Sequence, residues 1–192
     1  IIIMKNRLSI LLLTVIVVFI SADLFAAISK KKYFTNPQLG IWYGPVTPIL
    51  DTYDLLEPDM GVGIFFRYNL PIDSIKLGLD TSYQEYGSKG VNELSMFPVY
   101  FNVLYLLPLD LPIRLQVKGG GGMCRLFMKP DEINQWDPMF MTGVEVSFPA
   151  GKVVNIALRI DYLFVYEEYM KGASENGYFI NAAISLYFNF NM

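Results

Sequence analysis

Eight charged residues are spaced so that they share one side of an extended chain. Lys76 and Asp80, Arg114 and Lys118, and Arg159 and Asp161 are each an even number of residues apart, and side chains in a strand return to the same face every second residue. Arg67 and Glu145 join the same set once their apolar neighbours fix the phase. Asp80, Glu145 and Asp161 would be the raw material for paired-carboxylate acid and base chemistry. Interleaved with five cations, they are better placed to neutralise one another, because a buried charge left unpaired costs several kcal/mol. The expected product is a charge-paired plug.

The rest of the sequence offers little further chemistry. The chain has no histidine, which removes Ser-His-Asp, Cys-His and His-ligated metal arrangements together. Cys124 is the single cysteine, so no intramolecular disulfide can form, and beside Arg125 it reads as a small strand filler rather than a reactive thiol. Asp51, Asp54, Glu57 and Asp59 make one segment acidic without the spacing of a calcium loop. Net charge is -3 with no long basic run, so the footprint of a nucleic-acid binder is missing. No cofactor, metal or catalytic group is expected, and the chain reads as a non-enzyme.

The elements that must carry these charges are strands. Even positions from Tyr178 to Met192 are apolar or aromatic, and the odd ones include Asn181, Ser185, Asn189 and Asn191. Val154, Ile156, Leu158, Ile160, Tyr162, Phe164 and Tyr166 repeat the pattern one segment earlier, with Leu163 and Val165 as exceptions on the polar side. Six further segments follow the same period: Leu39 to Val46, Met60 to Leu70, Ile75 to Tyr86, Met96 to Leu107, Ile113 to Phe127 and Met139 to Phe148. Three connections, Pro71 to Ser74, Pro108 to Pro112 and Pro149 to Lys152, are tight and proline-bearing. The other four, Thr47 to Asp59, Gly87 to Ser95, Met128 to Pro138 and Glu168 to Asn176, are longer and polar. Pro98 is expected at an outer rim or a bulge, and Gly119 to Gly122 permit sharp coiling or close backbone approach.

Ahead of the strands, Lys5 and Arg7 precede an apolar run from Leu8 to Ile20, and small residues follow at Ser21, Ala22, Ala26 and Ala27. This is the layout of a secretory signal peptide, and the run is shorter than the roughly 20 residues of a helical span. Ile1 to Ile3 precede Met4, the natural initiator. The expected organisation is a signal peptide over 4–27, a leader over 28–37 containing Lys30, Lys31 and Lys32, and one β-domain over 38–192.

The greasy faces are too bulky to point inward. Phe66, Tyr68, Phe97, Phe101, Tyr105, Phe140, Phe148, Tyr162, Phe164, Phe188 and Phe190 all fall on them, and an eight-stranded barrel has interior room only for packed side chains or one small ligand. With 53% hydrophobic residues and 17% charged ones, the expected fold is an all-β, eight-stranded, antiparallel up-and-down transmembrane barrel. It is apolar outside and polar inside, with short turns on the periplasmic side.

On the strand pattern, the Phe97-Pro98-Val99-Tyr100 segment, the glycine-rich fifth strand and the alternating aromatic end, Gln38 to Met192 resembles the small outer-membrane barrel superfamily. That superfamily includes the OmpA-like, OmpX-like, opacity-type and OmpW-like proteins. The resemblance implies residence in the outer membrane of a two-membrane bacterium, in contact with its lipid. It also implies insertion by the barrel-assembly machinery, which reads the terminal strand, here Ile184, Leu186, Phe188, Phe190 and Met192; the family's usual aromatic end residue is replaced by Met192. The expected function is a structural scaffold whose surface loops serve envelope integrity, adhesion or host interaction. The alternative is a narrow porin-like channel or an OmpW-like conduit for small hydrophobic molecules, in which Trp42, Phe65 and Tyr100 would line an apolar upper pocket and Pro45 and Pro98 would loosen strand pairing.

Overall fold

The computed structural model of the chain describes residues 37–70, 74–88, 93–109, 113–129, 133–150, 153–166 and 176–190. The signal peptide expected over 4–27, the leader up to residue 36, the 168–175 part of the fourth long connection, and Met192 lie outside them.

Among the described residues, alternation of large apolar with polar or small residues produces nine strands in chain order. They are β1 (Gln38–Pro48), β2 (Leu56–Glu57), β3 (Asp59–Asn69), β4 (Ile75–Ser88), β5 (Glu93–Leu106), β6 (Arg114–Lys129), β7 (Ile133–Pro149), β8 (Val154–Val165) and β9 (Gly177–Asn189). A one-turn helix, α1 (Asp51–Leu55), stands between β1 and β2. Every pairing is antiparallel. The order runs β4-β3-β1-β9-β8-β7-β6-β5, and a β4–β5 pairing closes the ring. Closure leaves no sheet edge for lipid to solvate. Eight strands make the barrel, while β2 continues the β3 side of the β4 ladder past Pro58, pairing Leu56 with Ser88 and Glu57 with Gly87.

Burial alternates in phase with the sequence. On β1, Leu39, Ile41 and Tyr43 face outward while Gln38, Trp42 and Val46 are buried; on β9, Ile184, Leu186 and Phe188 are exposed while Asn181, Ser185 and Tyr187 are not. Phe101, 71% exposed, stands in the middle of the outward face of β5. Tyrosines, phenylalanines and a tryptophan gather towards both ends of the wall: Tyr83, Phe97 and Trp136 on the loop side, and Tyr68, Phe148 and Phe188 on the turn side. Such girdles mark the two interfaces of a transmembrane barrel. Leu163 and Val165, which break the sequence pattern, point inward and are fully buried.

The structure redraws several boundaries. Most of the segment from Met128 to Pro138 is strand rather than loop: β6 runs to Lys129, β7 starts at Ile133, and the two stay paired up to Met128 and Ile133. Likewise β4 reaches Ser88 and β5 starts at Glu93. The four strands β4 to β7 are 14 to 17 residues long, beyond the 9–11 a bilayer requires, so their outer ends rise above the apolar band. Polar residues and Pro138 obscured this in the sequence; Pro138 needs only its carbonyl there, which accepts Tyr166 N–H at 2.9 Å. The first long connection also carries structure, in α1 and β2.

Pro98 lies inside β5 rather than at a rim. It is opposite Cys124 on the β6 side, and the ladder to β4 skips Phe97 and Pro98. Pro45 does the same on β1, where pairing with β9 skips Gly44 and Pro45. The glycine run does not break β6. A Cβ at Gly122 would collide with the Val99 carbonyl oxygen and lie 2.6 Å from Tyr100 Cα; one at Gly120 would collide with the Phe101 carbonyl oxygen and lie 2.6 Å from Asn102 Cα. Only glycine lets β5 and β6 approach so closely along this seam.

Candidate functional site

The inner wall is the place where this chain gathers its polar chemistry, and the pleat explains how. Alternate residues of every strand must point into the lumen, so a charge kept out of lipid is delivered to the inside. Towards the turn end and the middle of the barrel, six of these charges interlock. Arg67 on β3 reaches across to Glu145 on β7 with two parallel bonds, Nη1 to Oε1 at 2.8 Å and Nη2 to Oε2 at 2.5 Å. This fork-to-fork geometry is the strongest a guanidinium can make with a carboxylate.

Arg159 on β8 is the hub of the second group. Its Nε donates to Asp161 Oδ2 at 2.7 Å, and its Nη2 bonds the same oxygen. The same Nη2 meets Asp80 Oδ1 at 3.0 Å and Tyr100 Oη at 3.3 Å. Lys118 Nζ donates to Asp161 Oδ2 at 3.0 Å, and Asn102 Nδ2 donates to Asp80 Oδ2 at 2.6 Å. Three cations and three carboxylates therefore balance in a region with almost no solvent exposure.

Aromatic rings complete the coordination of the two guanidiniums. Arg67 Cζ lies 4.2 Å from the Phe65 ring centre and 5.5 Å from that of Tyr187, while Arg159 Cζ is 5.2 Å from Trp42 and 5.7 Å from Phe65. A desolvated cation over an aromatic face gains up to about 2 kcal/mol or more. Trp42, Phe65 and Tyr100 do face inward, where Trp42 and Phe65 pack on these cations and all three belong to the buried apolar cluster of the lumen.

The last two of the eight charges sit nearer the turns. Lys76 is buried on the inner face of β4. Arg114 is half-buried at the start of β6 and meets Asn155 Oδ1 at 3.4 Å. Asn102, Gln116, Asn155 and Tyr187 belong to the same polar interior and were not singled out as lumen residues from the sequence. Their inward phase was available as a signal, but uncharged polar residues do not stand out among the small residues sharing that face.

Above the charges, the loop-end interior is mainly apolar, with Ser82, Gln84, Asp137 and Asn181 buried beside the apolar residues. Val46, Met96, Cys124, Leu126, Met139 and Val165 are all buried in one cluster. Tyr86 packs against Phe179 with ring centres 4.8 Å apart, and its hydroxyl donates to Gln84 Oε1 at 2.7 Å. The segment from Leu50 to Glu57 folds over this plug. Leu56 inserts into it, and Tyr178 N–H donates to Thr52 Oγ1 at 3.0 Å, tying α1 to β9. Leu50 turns the chain into the cap with φ 54°, a conformation that non-glycine residues seldom adopt. The acidic residues Asp51, Asp54, Glu57 and Asp59 all lie on the exposed side of this cap. Among the described residues no cluster of histidine, cysteine and carboxylate ligands could hold a metal ion. Of the terminal-strand residues, Ile184, Leu186, Phe188 and Phe190 are on the outer wall.

No family model matches this sequence, and no curated protein matches it at a significant level. Solved structures match its fold. Neisserial surface protein A superposes with a TM-score of 0.64 at 8% identity, over 80% of this chain and 97% of that one. The N-terminal β-barrel domain of Pseudomonas aeruginosa OprF gives 0.52 at 15% identity, over 81% and 98%. The attachment invasion locus protein Ail of Yersinia pestis gives 0.52 at 10% identity, over 81% and 99%. The chain has the fold of the small bacterial outer-membrane barrels, with the apolar wall that such a fold turns to lipid.

Proposed function

We propose that this protein is a sealed, non-enzymatic outer-membrane scaffold, exported with its segment 4–27 removed, whose loop end meets the surroundings of the cell. The observation that supports the reading is the filled lumen. A charge-neutral network spans the middle of the barrel, a packed apolar plug lies over it, and the α1 cap lies over the plug. A continuous water path would have to break buried ion pairs, and removing one partner of such a pair costs about 3–5 kcal/mol. The chain also lacks the histidines on which the usual hydrolytic sites depend.

On this reading, function lies in the parts that stand above the membrane: the cap and the raised hairpins β4–β5 and β6–β7. Loops on a rigid scaffold commonly carry recognition, and adhesion to a host or environmental surface is the role proposed for them. The barrel-assembly machinery would read the outward aromatic register of β9 during insertion. Planar-bilayer recording of the purified full chain is the test, and the expected result is a membrane without steady conductance. Stable ion-conducting openings would establish a channel instead. Alkane or detergent held inside the barrel in a crystal would establish a hydrophobic conduit.

A further inference from the structure

The outer wall carries one cation that no carboxylate answers. Arg125 on β6 stands between the buried, inward-facing Cys124 and Leu126, so it points away from the lumen, and it is half-buried there. Its cross-strand partners are Phe97 on β5 and Trp136 on β7, both members of the loop-side aromatic girdle. Among the described residues, Arg67, Lys76, Arg114, Lys118 and Arg159 face the lumen, and Lys129, nearer the loop tips, pairs with Glu93. None of the ion pairs formed by the described residues includes Arg125.

Depth and local geometry both bear on what such a cation meets. Phe97 is four residues along β5 from Phe101, in the middle of the outward face. At about 3.3 Å per residue, and with strands tilted by about 40°, the row of Phe97, Arg125 and Trp136 lies roughly 10 Å above Phe101. Half of an apolar band about 25 Å tall ends close to that height. The guanidinium therefore sits where hydrocarbon gives way to headgroups. It is also held in place: Nε donates to Asn134 Oδ1 at 2.9 Å, and Cζ lies 4.5 Å from the Phe127 ring centre. Pinning through Nε leaves the two Nη groups as the open end of the fork, the edge that matches two oxygens of one phosphate.

We propose that Arg125 is a headgroup site for an outer-leaflet lipid bearing a phosphate monoester. The Nη groups donate to the phosphate oxygens, and Phe97 and Trp136 pack against the carbons just beneath. A monoester suits the fork because it offers three terminal oxygens and a charge of about -1.5 to -2 near neutral pH. A lipid is the occupant because the wall continues downward from this row in apolar residues such as Met123 and Phe101. The inference rests on the loop end facing the cell exterior and not on a sealed lumen, so a conducting barrel would leave it standing.

The test takes Trp136 as its reporter. The full chain is reconstituted in phosphatidylcholine bilayers, and a rising fraction of the lipid is replaced by phosphatidic acid with brominated chains, which quench indole fluorescence on contact. Brominated phosphatidylcholine supplies the reference curve. Trp42, the other tryptophan, is sealed in the lumen and adds a constant background. The lipid beside Trp136 is expected to favour phosphatidic acid about fivefold, the size of effect one cation has at a charged lipid surface. Arg125→Gln should erase the preference, and Lys129→Gln should leave it unchanged. Arg125→Lys keeps the charge without the fork and should lose about half of the preference. Should the glutamine variant fail to fold, the lysine variant decides, since a preference equal to the parent's would overturn the forked site. Equal affinity for the two lipids in the parent, a preference kept in Arg125→Gln, or the same loss in Lys129→Gln would also overturn it. Displacement of the lipid by inorganic phosphate would show an anion site and overturn the assignment to lipid.

Discussion

Arg159 is the residue on which the middle of the lumen depends. It bonds Asp161, Asp80 and Tyr100 at once, so truncation leaves two buried carboxylates with Lys118 and Asn102 as their remaining partners. Arg159→Ala is expected to lower stability by about 3–5 kcal/mol in denaturant titrations. Lys129→Ala is expected to leave the unfolding midpoint where it was, because the Lys129 to Glu93 pair is solvent-exposed. The Arg67 and Glu145 pair permits a sharper comparison. Glu145→Leu alone strands a buried guanidinium, whereas the Arg67→Met/Glu145→Leu double variant removes both charges and should recover to within about 1 kcal/mol of the parent, since apolar replacements of a whole buried pair are often neutral. A double variant as unstable as the single one would show that the pair holds the barrel in shape through its geometry and not only through its charge.

At the scale of the element, the glycine run of β6 is the most demanding feature. Gly120 and Gly122 leave no space for a Cβ against β5, but the nearest atom to a Cβ at Gly119 is the Met141 carbonyl oxygen at 3.8 Å. Gly122→Ala is therefore expected to abolish recovery of the heat-modifiable folded band on gels, and Gly119→Ala to fold normally. The alternating β8 and β9 were plain in the sequence because each strand has one lipid face and one lumen face, and lipid tolerates no polar residue in between. The inward placement of Arg67 and Glu145 was legible for the same reason, by phase alone, though their meeting across the lumen was not. The outer ends of β6 and β7 were hidden because strands that have risen above the bilayer lose their apolar face, and Asn134 and Gln135 then look like loop. The cap was hidden too, since its anchors are short and local, the Thr52 bond to β9, Leu56 in the plug and the two-residue pairing of β2 with β4, and these have no periodicity to betray them.

For the molecule as a whole, the outer wall sets the conditions of folding. Phe101 stands midway along the outward face of β5 with apolar neighbours Leu79 and Gly121 opposite it, so Phe101→Arg puts a guanidinium at the depth where lipid tolerates it least. It should cost about 2–4 kcal/mol in bilayer unfolding equilibria, and a smaller loss would mean that this face is turned towards protein or water.

Cys124 adds a consequence for how that assembly can be followed. The only thiol in the chain is sealed inside the loop-end plug with no exposed surface. A membrane-permeant maleimide can therefore reach it only in molecules whose wall has not yet closed or has come apart. The fraction labelled at successive times after synthesis becomes a clock for closure. In the finished protein the slow residual labelling rate measures how often the barrel opens, with no probe to be engineered in.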